Sequence, residues 1–195
     1  MKIMDAPQYG PMFRFTDASV YWALHVLSDG RRMGRKRLSE EIGVGEGSMR
    51  RILNTLKERN MILIKQTGIT ITKTGMDYLE QIPIRVITLD PGSLVIGAYT
   101  QAVLVKGAAG NVGNGLKQRD AGIRAGSLGC TTLVIRDGKK VFLSPDWSID
   151  ENNPEVAEQI RSNDLAADGD AIIIGGADDQ NTAINAALTA AFELV

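Results

Sequence analysis

Apolar residues recur at Val20, Leu24 and Leu27, at Leu38 and Ile42, and at Met49, Ile52, Leu53 and Leu56. This is the 3.6-residue spacing of helices that bury one stripe. Thr16 is placed to cap the first helix, which ends near Asp29-Gly30, and Phe13 and Phe15 can staple its start to a loose arm rich in Pro, Gly and Met. Gly43 interrupts the pattern between the second and third stretches, so residues 38–62 read as two short helices joined by a turn. Their inward stripes leave Ser48, Arg50, Arg51, Asn54 and Lys57 on the outer surface of the later helix. A helix-turn-helix that lays its second helix in a DNA major groove has this arrangement.

The period then changes to that of strands. Two β-branched runs, 62–64 and 69–71, flank Gln66-Thr67-Gly68 and predict a tight hairpin. Thr72 to Gly75 opens a further helix over 76–81, which Pro83 closes. Beyond it, strands are predicted at 85–89, 94–105, 132–136 and 140–143, the last two joined across Asp137-Gly138. A fully buried strand at 171–174 lies between helices at 154–162 and 183–194. The fold class is therefore α+β. A helix-turn-helix domain with a hairpin wing spans 1–83, and an α+β domain, a mixed sheet with helices packed on it, spans 84–195.

Charge sharpens this division. The net charge is −1, but residues 1–83 carry 13 Lys and Arg against 9 Asp and Glu, whereas 84–195 carry 9 against 14. Within 31–65 the count is 10 basic to 4 acidic, a field that attracts phosphate if those side chains share a face, and otherwise an ordinary solvated surface. No apolar run approaches the roughly 18 residues of a membrane helix, and the first residues lack a signal-peptide core, so a cytoplasmic location with no membrane partner is expected. One cysteine, Cys130, and one histidine, His25, cannot build a structural zinc site, so no metal centre is expected. His25, Tyr21 and Trp22 share a helix with apolar neighbours and read as structural residues.

Two glycine-rich stretches in the second half are candidates for a ligand site. The first, 107–129, holds seven glycines with Asn111, Asn114, Gln118, Arg119, Asp120 and Arg124 among them, and a helix can start near Leu116. Glycine lets backbone amides approach an anion at a helix start. The second, 175–181, carries Asp178 and Asp179 directly after the buried strand, where ligands often sit in α/β sheets. Neither is a nucleotide-binding motif, and both also fit tight turns and close packing. The two aspartates most simply cap the final helix, though adjacent carboxylates can hold magnesium with a phosphorylated ligand. With no histidine in this half, and Cys130 reading as a buried structural thiol, no catalytic constellation emerges and the cofactor is unknown.

Residues 38–62 followed by Ile71-Thr72-Lys73-Thr74-Gly75 resemble winged-helix transcriptional regulators over about residues 16–82. The resemblance implies that Ser48, Arg50 and Asn54 face base edges of double-stranded DNA, and that Arg51, Arg35, Lys36 and Lys65 contact phosphates. Gly45 stands where those regulators place a Ser cap, Glu46 adds an acidic charge, and the wing is short, so Arg50 and Arg51 carry more of the contact. The whole chain resembles uncharacterised archaeal proteins in which a winged helix precedes a small α+β domain comparable with the GAD insertion of tRNA-dependent aspartyl and glutamyl enzymes. That likeness rests on residues 113–120 and 170–176. The expectation is a homodimeric transcriptional regulator whose second domain senses a small-molecule effector or pairs subunits. The alternatives are an enzyme, such as a small-molecule kinase, with an attached winged helix as in archaeal riboflavin kinases, and an RNA or protein interaction module.

Overall fold

The computed structural model describes residues 15–143 and 147–195. The N-terminal arm and Phe13 lie outside them. The chain divides between Ile82 and Pro83 into two compact units. Among the described residues no helix is long and apolar enough to cross a membrane.

The first unit runs α1 (Asp17–Leu27), α2 (Arg35–Glu41), α3 (Glu46–Glu58), β1 (Ile62–Lys65), β2 (Gly68–Ile71) and α4 (Lys73–Gln81). The apolar stripes do what their spacing requires: Val20, Leu24, Leu27, Leu38, Met49, Ile52 and Leu56 are completely buried. Thr16 is the N-cap of α1, and its N–H reaches the Ser19 hydroxyl at 3.4 Å. Gly43 adopts a φ of +68° between α2 and α3, the left-handed turn that a β-carbon resists. Tyr21 is buried, and the His25 ring stacks on Trp22 with centroids 5.0 Å apart. The helix α4 begins at Lys73, ahead of the Met76 read from the pattern. The Thr72 hydroxyl accepts from the Gly75 N–H at 3.1 Å and donates to the Asn60 carbonyl at 2.6 Å, which fixes the start. Thr72→Ala is expected to lower unfolding free energy by about 1 kcal/mol, read as a lower urea midpoint with an unchanged slope.

The second unit is a six-stranded sheet in the order β3-β4-β8-β5-β6-β7. Its strands are β3 (Ile84–Ile87), β4 (Tyr99–Val105), β5 (Gly129–Arg136), β6 (Lys140–Leu143), β7 (Trp147–Ser148) and β8 (Ala171–Ala177). Every pairing is antiparallel, which corrects the mixed sheet expected from the strand and helix pattern. On one face Leu133, Ile135, Ile172 and Ile174 pack against Ile149, Val156, Ala157 and Ile160. The last four come from α6 (Ile149–Asn152) and α7 (Pro154–Ser162). The other face is covered by α5 (Leu116–Arg124) and α8 (Gln180–Phe192).

Four strand assignments change, and the strand expected at 132–136 begins already at Gly129. The strand expected at 94–105 starts only at Tyr99, because Gly92–Leu94 is a 3-10 turn and residues 95–97 cross the sheet instead. A β-carbon on Gly129 would lie 3.2 Å from both the Ile96 nitrogen and Val95 Cγ2, and the Thr131 hydroxyl donates to the Leu94 carbonyl at 2.6 Å. The strand expected at 85–89 runs Ile84–Ile87. The buried strand expected at 171–174 continues through Gly175-Gly176 to Ala177, fully buried along its length. The second glycine stretch is therefore largely strand. Its glycines let α8 approach one side, at Gly175, and the 95–97 crossing the other, at Gly176.

Candidate nucleic-acid interface

Burial of Met49, Ile52, Leu53 and Leu56 fixes which side of α3 faces out. At about 100° per residue, Arg50 and Asn54 lie about 40° apart on that side, while Ser48 lies about 160° from Arg50. Arg50, Arg51, Asn54 and Lys57 are exposed and Ser48 is half-buried, on the flank away from Arg50. Gly45 is the N-cap of α3 with no side-chain cap, and Glu46 is its first residue.

Three elements close a concavity of about 350 Å³ beside this surface. Arg35 and Lys36 come from the first turn of α2, Arg50 and Asn54 from α3, and Lys65 from the end of β1, over an apolar floor that includes Leu53, Ile64 and Ile69. Five of the seven residues expected to touch DNA thus converge, and among the described residues no carboxylate lines the space. Ser48 and Arg51 lie outside it. Lys36 approaches Glu40 only at 4.0 Å with both side chains largely in water, a pairing too weak to hold the lysine back. Arg31 is engaged elsewhere: its backbone N–H and guanidinium both bind Asp29 and hold that carboxyl below the usual carboxylate range.

The wing is anchored by contacts that local pattern does not announce. Met33 forms an antiparallel bridge with Ile69, with N···O distances of 3.1 and 2.8 Å. Arg32 donates to the Thr67 hydroxyl at 3.2 Å across the hairpin tip. Ile64 contributes an apolar wall while remaining 45% exposed. The runs 62–64 and 69–71 announce the hairpin, but nothing in the local sequence announces its contacts with Arg32 and Met33.

The expected ligand residues in the second unit fall into two groups. Asn111 donates to the Leu194 carbonyl at 3.3 Å, Asn114 accepts from the Leu116 N–H at 3.2 Å, and Arg119 pairs with its neighbour Asp120 at 3.4 Å. Gln118 is buried on the inner side of α5. Asp179 is the N-cap of α8. It accepts from the Thr182 hydroxyl at 2.7 Å and the Thr182 N–H at 3.0 Å, and these bonds lower its pKa. Asp178 beside it is exposed. Asn111 lies at the far end of α8 from the two aspartates, about 20 Å along that helix. The two groups do not form one site. Among the described residues no three His, Cys, Asp or Glu side chains gather closely enough to hold a metal ion.

Burial pushes the Cys130 thiol up from 9.0 to about 12. Folded chains keep it protonated where unfolded chains ionise it, so its contribution to stability is full below pH 9 and is lost as pH rises toward 12. Thermal melts from pH 8 to 11 should fall more steeply for the native chain than for Cys130→Ala, and iodoacetamide at pH 8 should modify the thiol only after unfolding.

Comparison with known proteins gives two family matches along the chain. Residues 19–85 match the family model described as the CggR N-terminal DNA binding domain. Residues 96–194 match the one described as a domain of unknown function, DUF4443. No curated protein matches the chain. Among solved structures, the hypothetical protein PH0730 from Pyrococcus horikoshii OT3 is 24% identical, with 93% of each chain covered and a TM-score of 0.69. The fold is shared with that archaeal protein.

Proposed function

The chain belongs to the DUF4443 family, and we propose that it is a DNA-binding transcriptional regulator in which the winged helix reads DNA and residues 84–195 sense an effector or pair subunits. The observation that carries this reading is the convergence of Arg35, Lys36, Arg50, Asn54 and Lys65 from α2, α3 and the wing on one concavity. The match of residues 19–85 to a DNA-binding domain supports it. Arg50 and Asn54 share a face from which a guanidinium can fork to guanine and an amide to adenine. Arg35, Lys36, Lys65 and Arg51 take phosphates. Ser48 reaches the duplex only on the flank away from Arg50. One short recognition helix reads few base pairs, so the functional form is a homodimer on a two-fold site.

Binding of the full chain to duplex DNA, followed by fluorescence anisotropy as salt is raised, tests the proposal. Four phosphate contacts per protomer give a slope of log affinity against log salt of about −4, doubled for a dimer. Absence of binding to any duplex at low salt would sink it.

A further inference from the structure

Between α5, α8 and β5 the second unit buries a set of polar atoms with no hydrogen-bond partner among the described residues: Gln118 Oε1, Ser127 Oγ, Thr132 Oγ1 and Thr189 Oγ1. Gln118, Ser127 and Thr132 are only 1%, 6% and 4% exposed. Native proteins leave few such groups, and each is costly unless something satisfies it. Four in a single layer call for an occupant.

Contacts along the helices place the elements that carry them side by side. A β-carbon on Gly122 would lie 2.6 Å from Cys130 Sγ and 3.4 Å from Ser127 Oγ, so this turn of α5 lies over the start of β5. The helix and strand run in opposite directions. One helical turn back from Gly122, about 6 Å, is Gln118, and two residues along from Cys130, about 6.6 Å, is Thr132, which brings them level. A β-carbon on Gly126 would lie 3.3 Å from Thr182 Cγ2, so the stripe of α8 holding Thr182 and, two turns on, Thr189 faces α5. About 10 Å along α8, Thr189 comes level with Gln118.

The chemistry of the layer selects its ligand. One amide oxygen accepts, and three hydroxyls donate or accept. The charged groups of α5, Lys117, Arg119, Asp120 and Arg124, are all exposed on its outer side. An ion would lose its water with no counter-charge in return, whereas a neutral molecule bearing several hydroxyls matches every group. The helix that covers the layer has backbone pivots at both ends, Gly113 and Gly115 (φ +60° and +74°) before it and Gly126 (φ +100°) after it. Its buried side is built of Gln118, Ala121 and Gly122, so little apolar packing opposes its displacement.

We infer that the layer beneath α5 binds a small neutral polyhydroxy compound of sugar or polyol type. This gives the effector role proposed above a place and a ligand class, and rests on that role only for its consequence at DNA. The test measures thermal stability of the full chain with millimolar D-ribose, xylitol or myo-inositol, and with ribose 5-phosphate as the charged comparator. At least one neutral compound should raise Tm saturably while the phosphate ester does not. Thr132→Val and Gln118→Met should each weaken that binding at least tenfold, and Thr189→Val, at a half-buried position, serves if either fails to fold. Absence of a saturable shift with all three neutral probes overturns the inference, as does undiminished binding by these variants. A chain that binds DNA but no probe overturns it while leaving the DNA reading intact; one that binds a probe but no DNA does the reverse.

Discussion

Arg50→Ala is expected to weaken binding to a specific DNA site by roughly 1–3 kcal/mol, a loss of five- to 150-fold in affinity. Arg50 is exposed on α3, borders the basic concavity and shares its side of the helix with Asn54. Removing it deletes a forked donor without disturbing the buried stripe of Met49, Ile52, Leu53 and Leu56, so the melting temperature should stay where it is. The loss should be concentrated on the preferred sequence, with random duplex much less affected and the salt slope nearly unchanged. Arg35→Ala or Lys65→Ala should behave in the opposite way. Each removes a phosphate contact, weakens all sequences alike and reduces the magnitude of the slope by about 1. Measurement of all three variants on one specific and one random duplex separates base reading from backbone holding. A uniform loss for Arg50→Ala would remove it from the base edges.

The same residues show how far local pattern reaches. The stripes at 20–27 and 38–56 were legible because each helix buries one face at its own period, and the runs at 62–64 and 69–71 because β-branched residues flank a turn sequence. The basic residues around them were legible as charge. Their convergence was not, because it depends on Met33 bridging Ile69 and Arg32 reaching Thr67, contacts between residues some 35 positions apart. Ser48 lies on the same helix, but two residues before Arg50 means nearly the opposite flank. In the second unit the apolar run 94–105 overshot because Gly97, at a φ of +153°, breaks the extended backbone inside it. The four residues of α6 are too few to show a period. Gly175-Gly176 read as a loop, since glycine marks turns far more often than the middle of a buried strand.

That buried glycine pair sets up the largest expected loss of stability. Gly175 lies on β8, which is flanked by β4 and β5 near the middle of the sheet. A β-carbon there would lie 2.5 Å from the Ala183 carbonyl oxygen and 2.9 Å from the Ala187 nitrogen, both backbone atoms of α8 that cannot rotate away. Gly175→Val adds two further carbons to that collision, and the opposite side of the strand is closed by the 95–97 crossing over Gly176. Relief requires α8 to lift from the sheet, exposing completely buried Ala183, Ala186, Ala187, Leu188 and Ala190. Overpacking of side chains alone costs about 1–3 kcal/mol, so a clash with backbone on a strand held from both sides should cost 3 kcal/mol or more. Gly110→Ala is the control. Nothing lies within 4 Å of that position, and its effect should stay within about 0.5 kcal/mol. The two tryptophans, Trp22 and Trp147, belong to different units. Both substitutions are therefore best made in a Trp22→Phe background, where denaturant unfolding followed by fluorescence reports on Trp147 and the second unit alone. If Gly175→Val unfolds at the same denaturant concentration as Gly110→Ala, α8 does not rest on β8 as closely as these distances require.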